Sequence, residues 1–82
     1  MNQNDIITVY NKKGDAIKCV LLCVIKKNNN EYIVYKDVNN YTINNDLLAS
    51  KIKYQNKKII LEELDEQEWF YIEKEYTKLV KN

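Results

Sequence analysis

The residues with the clearest chemical potential in this chain are two cysteines, Cys19 and Cys23, in the stretch KCVLLCVIKK. In a strand, residues four apart share a face and lie about 13 Å apart, because each residue advances the chain by about 3.3 Å. A disulfide requires Cα atoms within about 7 Å, so the pair cannot form one. Thiols at that separation cannot share a zinc ion, and the chain has no histidine to complete a site.

The spacing also differs from redox motifs, in which two residues separate the cysteines. Free cysteine is among the most frequently buried residue types. We therefore expect both cysteines to be core residues. The apolar face to which they are predicted to belong consists of Ile17, Cys19, Leu21, Cys23 and Ile25.

Carboxylates are the other candidate catalytic groups. Glu62, Glu63 and Asp65 are close together in sequence and could act as general acids or bases. The sequence shows no Gly-rich phosphate loop and no nucleophile–base pattern beside them. We predict that the protein is not an enzyme and that it uses no metal and no cofactor.

Length and composition favour one soluble domain. Eighty-two residues, 45% hydrophobic and 30% charged, are typical of a single globular unit. The longest apolar run, residues 19–25, is far shorter than the roughly 20 residues that span a bilayer. The first residues lack the pattern of a signal peptide. We predict one cytoplasmic domain over residues 1–82, without membrane contact and with reduced cysteines.

Short apolar runs separated by polar turns predict a sheet between residues 6 and 63. No helical pattern interrupts these runs, which favours an antiparallel meander. The five predicted strands are Ile6–Tyr10, Ala16–Lys26, Glu31–Lys36, Leu47–Tyr54 and Lys58–Glu63. A looser loop is expected at residues 37–45.

The last segment has helical periodicity. Asp65 and Glu68 have the spacing of a capping box, and Leu64 and Trp69 flank it as a hydrophobic staple. A helix is predicted over about residues 66–81, and at this length it must dock on the sheet to be stable. Its predicted apolar stripe is Trp69, Ile72, Tyr76, Leu79 and Val80. The predicted fold class is α+β: an antiparallel β-meander of about five strands, curled or barrel-like, with one C-terminal α-helix packed on it.

Several motifs of the chain resemble those of a known family. ITVY followed by KGD, then YIVY, LLASK and finally LDEQEW at the start of the helix, resemble the YrzB-like family of small uncharacterised Firmicute proteins. The resemblance covers roughly residues 6–80 and implies the same meander-plus-helix organisation. The family has no established catalytic residues to transfer. Its members are typically strongly acidic, whereas this chain carries lysines on its strands.

Two apolar groups occur where a solvated surface is expected. Val20, Leu22 and Val24 alternate with the cysteine face of the second strand, between two lysines. They either become buried in a curled sheet or form an interface with another chain. Phe70 and Tyr71 lie off the helix stripe. Either they are partner-binding residues, or Phe70 flanks the core and Tyr71 is tolerated on the surface. We predict a protein-interaction module, with a second copy of the chain as one candidate partner.

Charge is distributed unevenly along the chain. Residues 1–61 carry ten lysines and five acids, whereas residues 62–82 carry three lysines and seven acids. Strand lysines near tyrosines suggest an alternative function as a weak nucleic-acid or ribonucleoprotein accessory. A solvated strand surface would explain the same lysines. The residues concerned are Lys36, Lys51, Lys53, Lys57 and Lys58.

Overall fold

The computed structural model describes residues 4–38 and 47–80, so most of the predicted loop at 37–45 lies outside the described residues. Five strands are followed by one helix, which confirms the predicted α+β fold class. Every predicted strand end lies within one residue of the observed one. The elements are β1 (Ile6–Tyr10), β2 (Ala16–Lys27), β3 (Asn30–Asp37), β4 (Leu48–Gln55), β5 (Lys58–Glu62) and α1 (Glu66–Val80).

Two tight turns set the register of the neighbouring hairpins. Asn28 and Asn29, with φ of 51° and 68°, link β2 to β3. Asn56 and Lys57, with φ of 52° and 67°, link β4 to β5. Two-residue loops with positive φ at both positions match the right-handed twist of the strands that they join. Asparagine tolerates this conformation well, which is why Asn-rich links form turns here.

The meander curls until its two ends meet. Consecutive strands are antiparallel from β1 to β5, and β1 then pairs with β5 in parallel. The closing contact is a single pair, Tyr10 with Ile60. The sheet is therefore ring-like but is not a regular barrel, because no β1–β5 ladder continues on either side of this pair.

The protein has two apolar clusters, one inside the ring and one under the helix. Strand β3 contributes to both, because successive side chains of a strand point to opposite faces. The ring core consists of Val9, Cys19, Leu21, Ile33, Tyr35 and Ile52. The helix core consists of Ile25, Tyr32, Val34 and Ile72.

A β-bulge between Leu21 and Cys23 divides β2. These two residues oppose consecutive residues of β3, so Leu22 is the extra residue of the bulge. Cys19 therefore lies in the ring core, whereas Cys23 packs against the helix core. The prediction of one continuous cysteine face is wrong, because the bulge moves everything beyond it to the other side of the sheet.

The helix buries a different stripe from the predicted one. Ile72 is 2% exposed and Tyr76 packs on the helix core, as predicted. In contrast, Trp69 is 40% exposed and Leu79 is 55% exposed, and Tyr71 packs on the helix core instead. The side chain of the fifth predicted member, at position 80, lies outside the described residues. The helix is thus rolled about its axis relative to the prediction.

Glu68 explains this roll. The predicted capping box is confirmed: the Glu68 N–H donates to Asp65 Oδ1 at 2.7 Å, and the Asp65 N–H donates to Glu68 Oε1 at 3.1 Å. The other carboxylate oxygen accepts the Tyr32 hydroxyl at 2.8 Å and Lys51 Nζ at 3.1 Å. The Asp65 N–H and then the Tyr32 hydroxyl hold the pKa of Glu68 below its ordinary value. One side chain therefore caps the helix and fixes the Glu68 side, not the Trp69 side, against the sheet.

Candidate binding cleft beside Trp69

Both cysteines are core residues, although of different cores. Burial, and then the nearby Asp37, raises the pKa of the Cys19 thiol to about 11. Burial also raises the pKa of Cys23, which is half-buried. Because the thiolate is the reactive form of cysteine, both environments suppress nucleophilic chemistry.

Two of the three candidate catalytic carboxylates have structural partners. Glu62 forms a salt bridge with Lys53 at 3.1 Å, and Asp65 caps the helix. Glu63 is exposed. Across residues 4–38 and 47–80, no group of three or more His, Cys, Asp or Glu side chains is placed to hold a metal ion.

The predicted binding stripe on β2 does not form one face. Val20 lies half-buried on the outer surface, before the bulge. Leu22 packs against the helix core, and Val24 packs against the ring core. The prediction that these three side chains share a surface is wrong, because the bulge separates them.

The predicted pair on the helix also separates. Phe70 is 62% exposed on the side of the helix away from the sheet, and Lys74 Nζ lies 4.5 Å from its ring centroid. Tyr71 is half-buried against the helix core, with Lys27 Nζ 4.0 Å from its ring centroid. Phe70 therefore remains a surface residue, whereas Tyr71 contributes mainly to packing.

Two of the five predicted nucleic-acid-binding lysines are paired with acids. Lys51 contacts Glu68 at 3.1 Å, and Lys53 contacts Glu62 at 3.1 Å. The Glu68 hydrogen bond raises the pKa of Lys51 and so favours its charged form. An intramolecular carboxylate already occupies the position that a phosphate would need beside each of these lysines.

The other three lysines lie elsewhere on the surface. Lys57 is in the exposed β4–β5 turn. Lys58 Nζ lies 4.9 Å from the centroid of the Tyr10 ring. Lys36 pairs with Val20 across the outer surface that the helix does not cover. The five lysines do not converge on one site.

A cleft of about 450 Å³ opens beside the point where the ring closes. One wall is the β1–β2 loop, which carries Lys12 and Lys13. The opposite wall consists of residues 61–64, at the end of β5 and before the helix, together with Trp69. Its floor includes Ala49 at the start of β4.

Asn11 holds the lysine-bearing wall in place. Its side-chain carbonyl accepts the N–H groups of Lys13 and Asp15, both at 2.9 Å. The Asn11 N–H donates to the Asp15 carbonyl at 3.1 Å, and the Gly14 N–H donates to the Asn11 carbonyl at 3.0 Å. Gly14 has a φ of 89°, which a residue with a side chain would adopt only with strain. The loop is thus ordered before any partner arrives.

Sequence reasoning missed Trp69 as a surface residue and did not single out Lys12 and Lys13. Residues 69–72 are four consecutive large apolar residues, so more than one helix face fits the pattern. The capping box locates Glu68 at the helix start, but its contacts with the sheet come from residues distant in sequence. Glu68 is the signal that could have helped to identify the buried face. If the Glu68 side of the helix is buried, its carboxylate needs polar partners on the sheet.

In the described part of the chain, no helix is long and apolar enough to cross a membrane. Comparison with family models, with curated proteins and with solved structures gives no match in any of the three. The resemblance to the YrzB-like family therefore stays a prediction. The function must be argued from the geometry of this chain.

Proposed function

We propose that the protein is a small non-catalytic module that binds another protein through the cleft beside Trp69. The observation that carries this proposal is the exposure of 40% of the Trp69 side chain in a cleft of about 450 Å³. Ligand sites commonly have volumes of about 300–1,000 Å³. Tryptophan is strongly enriched among residues that dominate binding energy, because it combines a large apolar surface with an N–H donor.

Phe70 extends the apolar surface along the helix. It is more exposed than Trp69 and follows it directly in the chain. Charged residues border this surface, with Lys12 and Lys13 across the cleft and Glu63 beside it. An aromatic centre with a polar rim is the usual anatomy of a protein-binding site.

The proposed mechanism is burial of aromatic surface on a preorganised scaffold. The cleft is built on a closed sheet, on a helix anchored by Glu68, and on a loop held by Asn11. A site that is ordered in advance loses little conformational entropy on binding. The partner therefore gains most from placing apolar groups against Trp69.

Membership of the YrzB-like family and a cytoplasmic location belong to the same proposal. Two free and shielded thiols suit a reducing compartment. A second copy of this chain is one candidate partner. Sedimentation analysis of the wild type and of Trp69→Ala would test that case, because self-association through the cleft should weaken in the variant.

The main experiment is affinity capture from a lysate of the host, with the wild type, Trp69→Ala, Phe70→Asp and Leu79→Asp as bait. Leu79 is the matched control, because it is an exposed apolar residue of the same helix that lies about 15 Å along the helix axis from Trp69, whereas Phe70 is adjacent to Trp69 in the chain. We expect Trp69→Ala and Phe70→Asp to lose a partner that Leu79→Asp retains after nuclease treatment. Equal retention by all four baits would contradict the proposal.

The uncovered outer surface of the sheet favours nucleic-acid binding as a second candidate function. Lys18, Lys36 and Lys58 lie there, and Tyr10 offers a ring for stacking. None of these three lysines is in a salt bridge within the described residues. Binding to a single-stranded oligonucleotide should then weaken steeply with salt. It should weaken further in Lys36→Glu than in Lys51→Glu, because Lys51 is already paired.

A further inference from the structure

We propose that the cleft binds an extended, acidic segment of the partner protein, which adds as a strand to the free edge of β5. This inference rests on the proposed function and names the kind of segment that the cleft accepts. Strand addition at an exposed sheet edge is a common mode of peptide recognition. Three features of the cleft support it: a strand edge and two lysines that have no partner within the described residues, and an aromatic anchor.

The free edge begins where the ring closure ends. Ile60 pairs with β4 on one side and with Tyr10 on the other. Within residues 4–38 and 47–80, Leu61 and Glu62 pair with β4 alone. Residues 61–64 line the cleft, so this edge faces it.

The hydrogen-bond alternation identifies the groups on that edge. The two-residue β4–β5 turn closes on Gln55 and Lys58, so Lys58 and every second residue after it bond to β4. Leu61 therefore directs its main-chain groups toward the β1 side, whereas Glu63 is the first residue after the end of β5. The parallel pair with Tyr10 uses the N–H of Leu61. The Leu61 carbonyl is therefore left on the cleft side, and the N–H of Glu63, which lines the cleft just beyond the strand end, has no strand partner.

These two groups have no partner among the described residues. None of the backbone hydrogen bonds outside regular strands involves either group, and no side chain in residues 4–38 and 47–80 bonds to them. Backbone groups at a strand edge form a template for another strand. An extended segment beside residues 61–64 would satisfy both groups.

The side chains around the edge define the sequence of the segment. An added strand would lie about 4.8 Å from β5, with alternate side chains on each face. One set would approach Trp69 and Leu64, which favours apolar residues. The two strand residues beyond the closing pair and the two residues that follow them span at most about 13 Å, so a segment of about four to six residues fills this side of the cleft.

The charge of the segment follows from the opposite wall. Lys12 and Lys13 are in no salt bridge within the described residues. Asp15, the acid of the same loop, is hydrogen-bonded to Asn11. Two acids lie at the edge itself: Glu62 is paired with Lys53, whereas Glu63 is exposed and is in no salt bridge within the described residues. An acidic residue of the partner segment that faces the β1–β2 loop would pair with Lys12 or Lys13.

The test is selection of a random 12-residue peptide library on the intact protein, with counter-selection on Trp69→Ala. We expect enriched peptides with alternating apolar residues and acidic side chains. Affinity can be read from intrinsic fluorescence, because Trp69 is the single tryptophan of the chain. Peptides with a helical apolar period, or without acidic residues, would overturn the inference.

Two matched pairs of variants test the mechanism with the selected peptide. Glu63→Pro removes the edge N–H and should weaken binding at least tenfold, whereas Glu63→Ala keeps it and should change affinity less than threefold. The double variant Lys12→Glu, Lys13→Glu should weaken binding at least tenfold. Lys57→Glu makes the charge change of one of these two substitutions, in the turn at the far end of β5, and should have no effect. Unchanged binding in Glu63→Pro would overturn strand addition.

A second measurement covers the case in which Glu63→Pro fails to fold. Two peptides are compared, each N-methylated at every second residue but offset by one residue. The peptide that has lost the N–H groups facing β5 should not bind, whereas the other should keep its affinity, without any change to the protein. Equal loss or equal retention would overturn the inference. If no peptide is enriched over Trp69→Ala, strand addition is wrong, whereas a lysate partner lost specifically in Trp69→Ala would still support the proposed function.

Discussion

The ring core and the helix core differ in the interactions that specify which residues they bury. The ring core is enclosed by strands, and its buried polar contact is internal, between the Tyr35 hydroxyl and Ser50 Oγ at 3.0 Å. The helix core has an open flank, where Trp69 remains exposed, and a polar anchor at Glu68. Alternation along the strands specifies the first core, whereas a few contacts between distant residues orient the second. The candidate site lies at the border of the less enclosed core.

The largest effect should come from a cavity in the ring core. Leu21 is 1% exposed, and Leu21→Ala should lower the free energy of unfolding by about 4 kcal/mol, because it removes buried methyl groups and leaves a void. Urea denaturation followed by circular dichroism measures the change. Leu79→Ala, at an exposed position, should stay within about 0.5 kcal/mol. Similar losses in the two variants would break the proposed distinction between core and surface.

A cavity in the helix core should have a smaller and more local effect. Ile72→Ala should cost about 3 kcal/mol, since Ile72 is the fully buried residue of the helix. Hydrogen exchange should show loss of protection in α1 before loss in β1 and β2, because the strands keep their own core. Uniform loss of protection across the chain would show that the two cores unfold as one.

The polar anchor should have a still smaller effect, which depends on pH. Glu68→Ala should cost about 2 kcal/mol, and Glu68→Gln about 1 kcal/mol, because glutamine can still serve the capping box but cannot pair with Lys51. The pKa of Glu68 is lowered in the folded state, so its ionised form stabilises the fold. This contribution is present above the unfolded pKa of about 4.3 and is lost as the pH falls through the folded value.

Chemical denaturation between pH 3 and pH 7 measures the pH effect. The free energy of unfolding of the wild type should exceed that of Glu68→Gln near pH 7, and the two values should converge at the acidic end of that range. A constant difference between the two proteins would contradict the assigned role of the carboxylate.

The mildest test leaves the fold intact and compares the two cysteines by alkylation. Cys23, half-buried under the helix, should react with iodoacetamide before Cys19 does. Cys19 is shielded in the ring core and has a pKa of about 11, so its thiolate fraction at pH 8 is about one in a thousand. Mass spectrometry of peptides after timed quenching gives both rates. Equal alkylation rates for the two cysteines would mean that opening of the ring, which exposes Cys19, is as frequent as detachment of the helix, which exposes Cys23.

Local features of this chain were predictable from sequence. The strand ends, the turns and the capping box follow from residue alternation, from Asn-rich links and from the Asp65–Glu68 spacing. The candidate site was predicted less well. Phe70 was singled out and is exposed, whereas Trp69 was assigned to the buried stripe and Tyr71 to the surface. Four adjacent apolar residues carry no information about which of them faces the sheet.

The sequence by itself determined the five strands, their antiparallel order and the C-terminal helix, because these depend on periodicity and backbone preference within short segments. Only the tertiary structure decided the bulge after Leu21, the roll of the helix about Glu68 and the single-pair closure at Tyr10. Each of these depends on contacts between residues far apart in the chain. The roll of the helix and the closure at Tyr10 together place the walls of the cleft beside Trp69.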